Sequence, residues 1–574
     1  MTSRAGRSAL RQLEWGAAGL LSLFMVWVHG ERLAHAGAMW RDEAAAVNLA
    51  TLPSLRDVYR LFPHEAFPLA VPLSIRLYAR VAGDSDAALR GFGMAIGLAL
   101  AGALWVSARA AGRTLPLLSL ALLGSSAPFV VFGDSLRGYG LGSLCIVLGF
   151  AALAWLLARP APWPAAAALI ALIGAVQCLL GNAALVAALC VAAAVAALAG
   201  GLRRVAMAAM GCGLAAALSL LPYAAPLRAA GSWNVVVVYH AGLVLIARVL
   251  LAALGPAAWV WLPLIALAVV GTAWELARGR RSPAAGDAAP MPSAAARTMT
   301  APADRAGESA AGGVSRDVRL FAVLAIIMGI AAQLWFLDFL AYTPRAWYDL
   351  PLLALVACAL EPLVAGLGRA ARFRGCARWV RLALALLLAG AMLPSELPRL
   401  RMRMTNADLV AGRLAAEAAA GDLVVVSPWY FGVSFQRYYH GPAAWVTLPD
   451  ISDHTIHRYD LLKARLASAR PIDDVLASVR RTLAAGRRVW LVGQLRVPPR
   501  DQAPPVFPPA PATPWGWNDY PYGISWGLQL GALLRDHAGS LAVVPVPAAD
   551  PVSSLERLTL AVASGWRSGE MNIR

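Results

Sequence analysis

AMWRDEAAAVNLATLPSLRDVYRLFPHEAFPL, residues 38–69, forms a polar island between two apolar runs. Upstream, residues 12–30 supply enough apolar length for one membrane crossing, and downstream the chain turns apolar again over 88–109. The island carries an adjacent acidic pair, Asp42-Glu43, and then a second ionisable pair, His64-Glu65, just before the chain re-enters the bilayer. Ionisable groups collected at one face of an otherwise lipid-compatible chain are most simply read as a site.

Further apolar runs occur near 115–133, 138–158, 163–180, 182–201, 204–225, 256–276, 318–338, 346–367 and 379–397. Each has the length of one crossing, which predicts an α-helical polytopic membrane protein of about eleven spans. The chain is 59% hydrophobic and 14% charged, so an ordinary soluble protein is excluded. Segment 241–255 is apolar but short, and Gly255-Pro256 interrupts it, so it reads as interfacial or re-entrant. Arginine distribution agrees with that count. With the N-terminus cytoplasmic, Arg109/Arg113, Arg159, Arg203/Arg204, Arg278/Arg280/Arg281 and Arg369/Arg372/Arg374/Arg378 all fall on the inner side. Loop 30–88 and the tail then lie outside. Arg4, Arg7 and Arg11 precede a long apolar stretch with no small-residue cleavage site before Glu31, which predicts a retained first helix.

The net charge of +18 comes almost wholly from arginine, with Lys463 the single lysine. No basic surface interleaved with aromatics accompanies it, so no nucleic-acid partner is expected. Cys145, Cys178, Cys190, Cys212 and Cys358 sit in apolar spans and Cys376 in an arginine-rich loop. No C-x-x-C spacing occurs, and no disulfide framework is implied. Residues 282–316 are rich in Ala, Pro, Ser and Gly and predict a disordered cytoplasmic linker. Beyond about residue 400, apolar runs at Leu423–Ser427, Arg488–Gly493 and Leu541–Val546 alternate with helical patterns at Asp460–Ala469, Ile472–Ala485 and Ile524–His537. That alternation predicts an extracytoplasmic α/β domain over 401–574, interrupted by a proline-rich loop, 497–514. Trp429, Tyr430, Tyr438, Tyr439, Trp515 and Trp517 enrich it in aromatics that serve either a core or a glycan surface.

Four short elements carry the chemistry. Trp40-Arg41-Asp42-Glu43 opens a stretch with helical spacing (Val47, Ala50, Leu55, Val58, Leu61), predicting an amphipathic helix on the membrane. Neighbours on a helix point about 100° apart, so the two carboxylates serve different ends. One acts as a base and the other pairs with an arginine, unless both merely complement the helix dipole. The second element is Phe62-Pro63-His64-Glu65-Ala66-Phe67-Pro68-Leu69, a proline-bracketed return. The third, Asp134-Ser135-Leu136-Arg137-Gly138-Tyr139, and the fourth, Tyr342-Thr343-Pro344-Arg345-Ala346-Trp347-Tyr348-Asp349, place Arg137 and Arg345 on the outer face. Cations there suit an anionic partner such as a lipid phosphate.

The order of these elements, with Gly83-Asp84-Ser85-Asp86-Ala87-Ala88-Leu89-Arg90 between the second and third, resembles the GT-C membrane glycosyltransferases. The nearest likeness is to bacterial relatives of the protein O-mannosyltransferases, including aminoarabinose transferases and Rgt-type lipopolysaccharide sugar transferases, over about residues 10–400. The return differs from the family's His-Pro-Pro-Leu, and Arg345-Ala346-Trp347-Tyr348 from its Arg-Tyr. The resemblance implies a GT-C-like domain over 1–400, with 30–88 as catalytic loop in the cell inner membrane. It implies a polyprenyl-phosphate-linked sugar as donor, an envelope glycan, lipid or protein as acceptor, and inversion at the anomeric carbon. Asp42 would be the catalytic base and Glu43 its acidic partner. Glu65 would help hold the acceptor, Arg137 and Arg345 would meet the carrier phosphate, and His64, Tyr139 and Tyr348 would complete the substrate-binding set. Some relatives use a divalent metal at the acidic loop and others none, so the metal stays open. The readings from other classes are a polytopic transporter and a non-catalytic scaffold that binds the lipid carrier. A transporter would gather its charges near the midplane between repeated halves.

Overall fold

The computed structural model describes residues 4–65, 67–112, 114–233, 242–281, 314–341, 344–367, 374–511 and 518–567. Most of the 282–316 linker, and Tyr342, Thr343, Trp515 and Trp517, lie outside these. Among the described residues, eight helices are long and apolar enough to cross a membrane: Asp86–Ala110, Gly138–Ala158, Asn182–Ala199, Arg203–Ala230, Gly242–Arg278, Arg316–Phe339, Ala346–Gly366 and Cys376–Leu400. The chain is thus a multi-pass helical membrane protein with a small C-terminal α/β domain. Helix Pro162–Cys178 is shorter, at 17 residues.

The first helix, α1 (Arg4–His35), runs 32 residues. It buries Leu10, Ala17, Ala18, Leu21, Met25 and Val28, a helical stripe packed into the main core. The expected span at 115–133 is two short helices, Leu117–Gly124 and Ala127–Phe132. They part at Ser125-Ser126, whose hydroxyls turn back to the carbonyls of Ala121 and Leu123. Segment 241–255 is mostly the helix Gly242–Leu254, joined through a 3₁₀ turn at Gly255–Ala257 to Ala258–Arg281.

The polar island folds as a jaw. The single amphipathic helix expected over 47–61 is two helices, α2 (Arg41–Thr51) and α3 (Leu55–Leu61). Pro53 lacks an amide donor, and Ser54 caps α3 by accepting from the Asp57 amide at 3.1 Å, so the chain restarts there. The face of α2 is buried at Ala44, Ala45, Ala46, Val47, Leu49 and Ala50 against protein, which corrects the expectation of a helix lying on lipid. α4 (Ala70–Ala82) returns beneath it. Arg76 donates to the carbonyls of Ala50 and Leu52, closing the α2 C-terminus where a cation complements the dipole. Gly83, at φ +93°, ends α4, and Ser85 caps α5 (Asp86–Ala110).

Helices approach closely at small residues near this face. A Cβ on Gly93 would stand 2.0 Å from the Asp134 carbonyl oxygen, and one on Gly140 2.1 Å from that of Gly133. Those two glycines hold the 133–137 turn against its neighbours and so set where Arg137 stands.

The C-terminal sheet has five strands: β1 Leu423–Ser427, β2 Ala444–Thr447, β3 Val489–Gly493, β4 Ala538–Val544 and β5 Thr559–Trp566. Their order is β2-β1-β3-β5-β4. β1 pairs parallel with β2 and β3, and β5 pairs antiparallel with β3 and β4. β1 and β3 are apolar and buried, as strands covered on both faces must be.

Candidate active site at the membrane face

Asp42 and Glu43 occupy the first turn of α2 and point apart, as their angular spacing requires. Glu43 is buried. It accepts from the Arg90 guanidinium at 3.1 Å and from the Leu136 amide at 3.2 Å. Arg90, the last residue of the 83–90 motif, also donates to the Ala38 carbonyl at 2.9 Å. Glu43 and Arg90 thereby tie α2, α5 and the 133–137 turn together.

Glu65 is deeper still, its side chain 1% exposed. Arg137 donates to it at 2.6 Å, and the His457 ring Nδ1 and backbone amide reach its other oxygen at 2.8 and 3.1 Å. Burial pushes this carboxyl up, but His457 and Arg137 together more than offset that and hold it down at about 2. Arg137 is raised above its ordinary value. Burial pulls it down, and Tyr139, Asp42 and Glu65 outweigh that. It also donates to the backbone carbonyls of Glu65 and Asp42 at 3.3 and 3.4 Å, lies over the Phe67 ring face, and interacts with the Tyr139 side chain. Arg137 is therefore committed to the protein, whereas Arg345 is exposed and lies over Trp347.

Asp42 differs from both acidic neighbours. Its side chain is 20% exposed, with Arg41 at 3.5 Å and His457 Nε2 at 3.8 Å. Among the described residues no hydrogen-bond donor already occupies this carboxylate. His457 stands between it and Glu65. Ionised Glu65 accepts only, so the His457 proton is assigned to Nδ1, which leaves Nε2 turned toward Asp42. A carboxylate, an imidazole and a second, more accessible carboxylate form a line with one open end.

The remaining walls come from both parts of the chain. Arg41 lies over the Tyr430 ring at 4.7 Å, and its backbone amide donates to Glu556 at 2.6 Å. Glu556, from the C-terminal domain, thus caps the N-terminus of α2. Burial pushes Glu556 up to about 7 against the pull of Arg41. His64 is buried, stacked on Trp233 at 4.0 Å, and 3.7 Å from Asp460. Burial lowers it to about 4, so the ring is neutral. Tyr139, Trp347 and Tyr348 join Trp40 and Phe132 in an aromatic cluster, with ring centroids 5.1 to 6.4 Å apart. No group of three His, Cys, Asp or Glu side chains among the described residues is arranged to hold a metal ion.

Sequence reasoning missed His457, Glu556 and Arg90's partner. A signal for the first existed: Asp453-His454-Thr455-Ile456-His457-Arg458-Tyr459-Asp460 concentrates ionisable groups in one loop. Nothing local tied it to a loop nearly four hundred residues earlier.

No family model and no curated protein matches this sequence. Among solved structures, the crystal structure of ArnT from Cupriavidus metallidurans bound to undecaprenyl phosphate aligns with 85% of this chain and 93% of its own, at 11% identity and a TM-score of 0.46. At that score the likeness assigns neither family nor chemistry to this chain.

Proposed function

We propose that this protein transfers a sugar from a polyprenyl-phosphate carrier to a cell-envelope acceptor, with inversion, on the outer face of the inner membrane. The observation that carries this reading is the Asp42 carboxylate, the more accessible member of the acidic cluster, which accepts no hydrogen bond from the described residues and has Arg41 and His457 at 3.5 and 3.8 Å. In the proposed step Asp42 takes the proton of the acceptor hydroxyl. The freed oxygen pair forms a bond to the anomeric carbon, and the bond from that carbon to the carrier phosphate breaks with its electrons. Phosphate is a weak base and leaves without a proton, so one general base suffices. Exposed Arg345 is the first cation to meet the phosphate, and the Tyr139–Trp347–Tyr348 cluster lines its approach. His457 is a positioning residue: held by Glu65, it turns Nε2 toward Asp42 and fixes the environment of that carboxylate.

Two further observations support this orientation. The 30–88 loop bonds to the C-terminal domain through Glu65–His457, Arg41–Glu556 and Asp86–Arg437, so the two share one face. An even number of crossings must separate them. Taking Pro162–Cys178 and the pair within Leu117–Phe132 as crossings beside the eight long helices gives ten among the described residues. With α1 that makes eleven. At the other end of α1, about 27 Å from Arg32, Glu14 pairs with Arg378 and Arg381, part of the arginine-rich face assigned to the cytoplasm.

The test is release of polyprenyl phosphate from a labelled polyprenyl-phosphate sugar by purified protein in liposomes, with envelope lipids and glycans profiled by mass spectrometry. Asp42→Asn should slow turnover by about 10²–10⁴-fold while insertion and carrier binding persist. Native-rate turnover by that variant defeats the assignment.

A further inference from the structure

The C-terminal sheet has a crevice beyond the acidic cluster described above. In the order β2-β1-β3 the chain leaves β1 toward one side and arrives at β3 on the other. Loops that diverge in this way open a cleft at the carboxyl ends of the parallel strands, where ligands of open α/β sheets bind. A cavity of about 170 Å³ lies there. Its walls are the residues directly after β1 (Trp429, Tyr430), those after β3 (Gln494, Arg496), and the start of helix Tyr520–His537 with Asp519 before it. A water-sized guest needs roughly 10–15 Å³ by this kind of measure, so the space suits about a dozen non-hydrogen atoms.

The lining has two chemistries. Tyr520 is 66% exposed and presents ring surface to the opening, while Trp526 is buried in the wall. Gln494, Arg496 and Asp519 supply planar donors and acceptors around it, and Arg496 already donates to Gln494 at 3.2 Å. Aromatic faces beside planar polar groups match a pyranose or furanose ring, which has one C–H face and a rim of hydroxyls. A simple anion is a poorer match, because the Asp519 carboxyl lines the same wall.

The cleft also adjoins the acidic site. Tyr430 lines it and carries the Arg41 guanidinium on its ring, while Trp429 packs edge-on to Tyr459 at 5.6 Å and to His457 at 6.3 Å. Tyr459 in turn feels Glu65, Asp42 and Asp519. One aromatic layer separates the two. We propose that this cleft is a saccharide-binding subsite, holding one sugar ring of the acceptor one aromatic layer away from the Asp42 site. Naming the acceptor as a saccharide rests on the transfer reaction proposed above; binding of a sugar ring does not.

The experiment is saturation-transfer NMR on the full-length protein in a detergent without a sugar headgroup. The probes are methyl glycosides of a hexose, a pentose and an amino sugar, with acyclic sorbitol as control. The expected result is saturation of the ring C–H protons of at least one glycoside and none of sorbitol. Affinity should fall at least tenfold in Tyr520→Ala and in Gln494→Ala, the latter an exposed position whose loss does not threaten folding. The proposal is overturned if no glycoside is saturated, if sorbitol is saturated equally, or if both variants bind within threefold of the parent. Asp42→Asn separates the two ideas. Native turnover in that variant with glycoside binding intact removes the reaction and leaves the subsite. Lost turnover with no glycoside binding in the parent removes the subsite alone.

Discussion

Glu65→Gln should unlock the C-terminal domain from the membrane face without unfolding either part. Two estimates of its size agree. The carboxyl is held near 2 against an ordinary 4.5, a displacement worth about 3 kcal/mol in favour of the charged form. Independently, removing one partner of a buried ion pair costs about 3–5 kcal/mol, because the other charge is left uncompensated. Here the stranded charge is Arg137, whose side chain is 11% exposed. Hydrogen exchange followed by mass spectrometry reads the effect, since the exchange rate of a locally opening element scales with its opening constant. Peptides from α2 and from 455–466 should exchange roughly 10²-fold faster in Glu65→Gln, with the helices Gly138–Ala158 and Asn182–Ala199 unchanged. Glu65→Gln combined with Arg137→Met should recover much of the protection, because a buried pair replaced by apolar groups is close to neutral. If the single variant exchanges within threefold of the parent in both peptides, Glu65 is not the latch.

Other outcomes test the remaining parts of the site. His457→Gln should lower turnover and change the shape of its pH profile, whereas a purely structural role would lower the rate equally at every pH. Arg345→Ala should raise the KM for the lipid-linked donor by about tenfold, the worth of one charge-assisted contact, with little change in kcat; an unaltered KM removes Arg345 from the phosphate site. Acidification should expose two opposed titrations. His64 has a folded value near 4 against 6.5, so its contribution is present above 6.5 and lost as pH falls through about 4. Glu556 has a folded value near 7 against 4.5, so its contribution is present below 4.5 and lost as pH rises through about 7. Each amounts to about 3 kcal/mol across its window, and between pH 4.5 and 6.5 they nearly cancel. Relative to the parent, thermal stability should therefore rise on acidification in His64→Asn and fall in Glu556→Gln. Parallel curves for all three proteins contradict the assignment.

Much of the architecture is written in local pattern. Apolar runs of crossing length mark the helices because a lipid-embedded backbone has to satisfy its own hydrogen bonds. β1 and β3 stand out because strands buried on both faces are continuous apolar runs, as Leu423–Val426 and Val489–Val492 are. β2 and β5 escaped notice for the converse reason. Trp445 and Val446 are only half-buried in four-residue β2, and β5 mixes Ser564 and Gly565 into its run. The single amphipathic helix expected after Asp42 failed at Pro53, where ring sterics override a 3.6-residue pattern that otherwise continues.

The sequence alone determines that Asp42 and Glu43 cannot serve one atom, since adjacent residues on a helix diverge whatever surrounds them. It also determines that acids and arginines gather at the ends of apolar segments. Which carboxylate is already held was decided only by the tertiary structure. Arg90 reaches back to Glu43, Arg137 and His457 converge on Glu65, and Asp42 accepts no hydrogen bond from the described residues. Such pairings join positions tens to hundreds of residues apart, and no periodicity records them. Desolvation and Coulomb attraction depend on distance in space, so the charge state of this site exists only once the C-terminal domain has closed over the acidic loop.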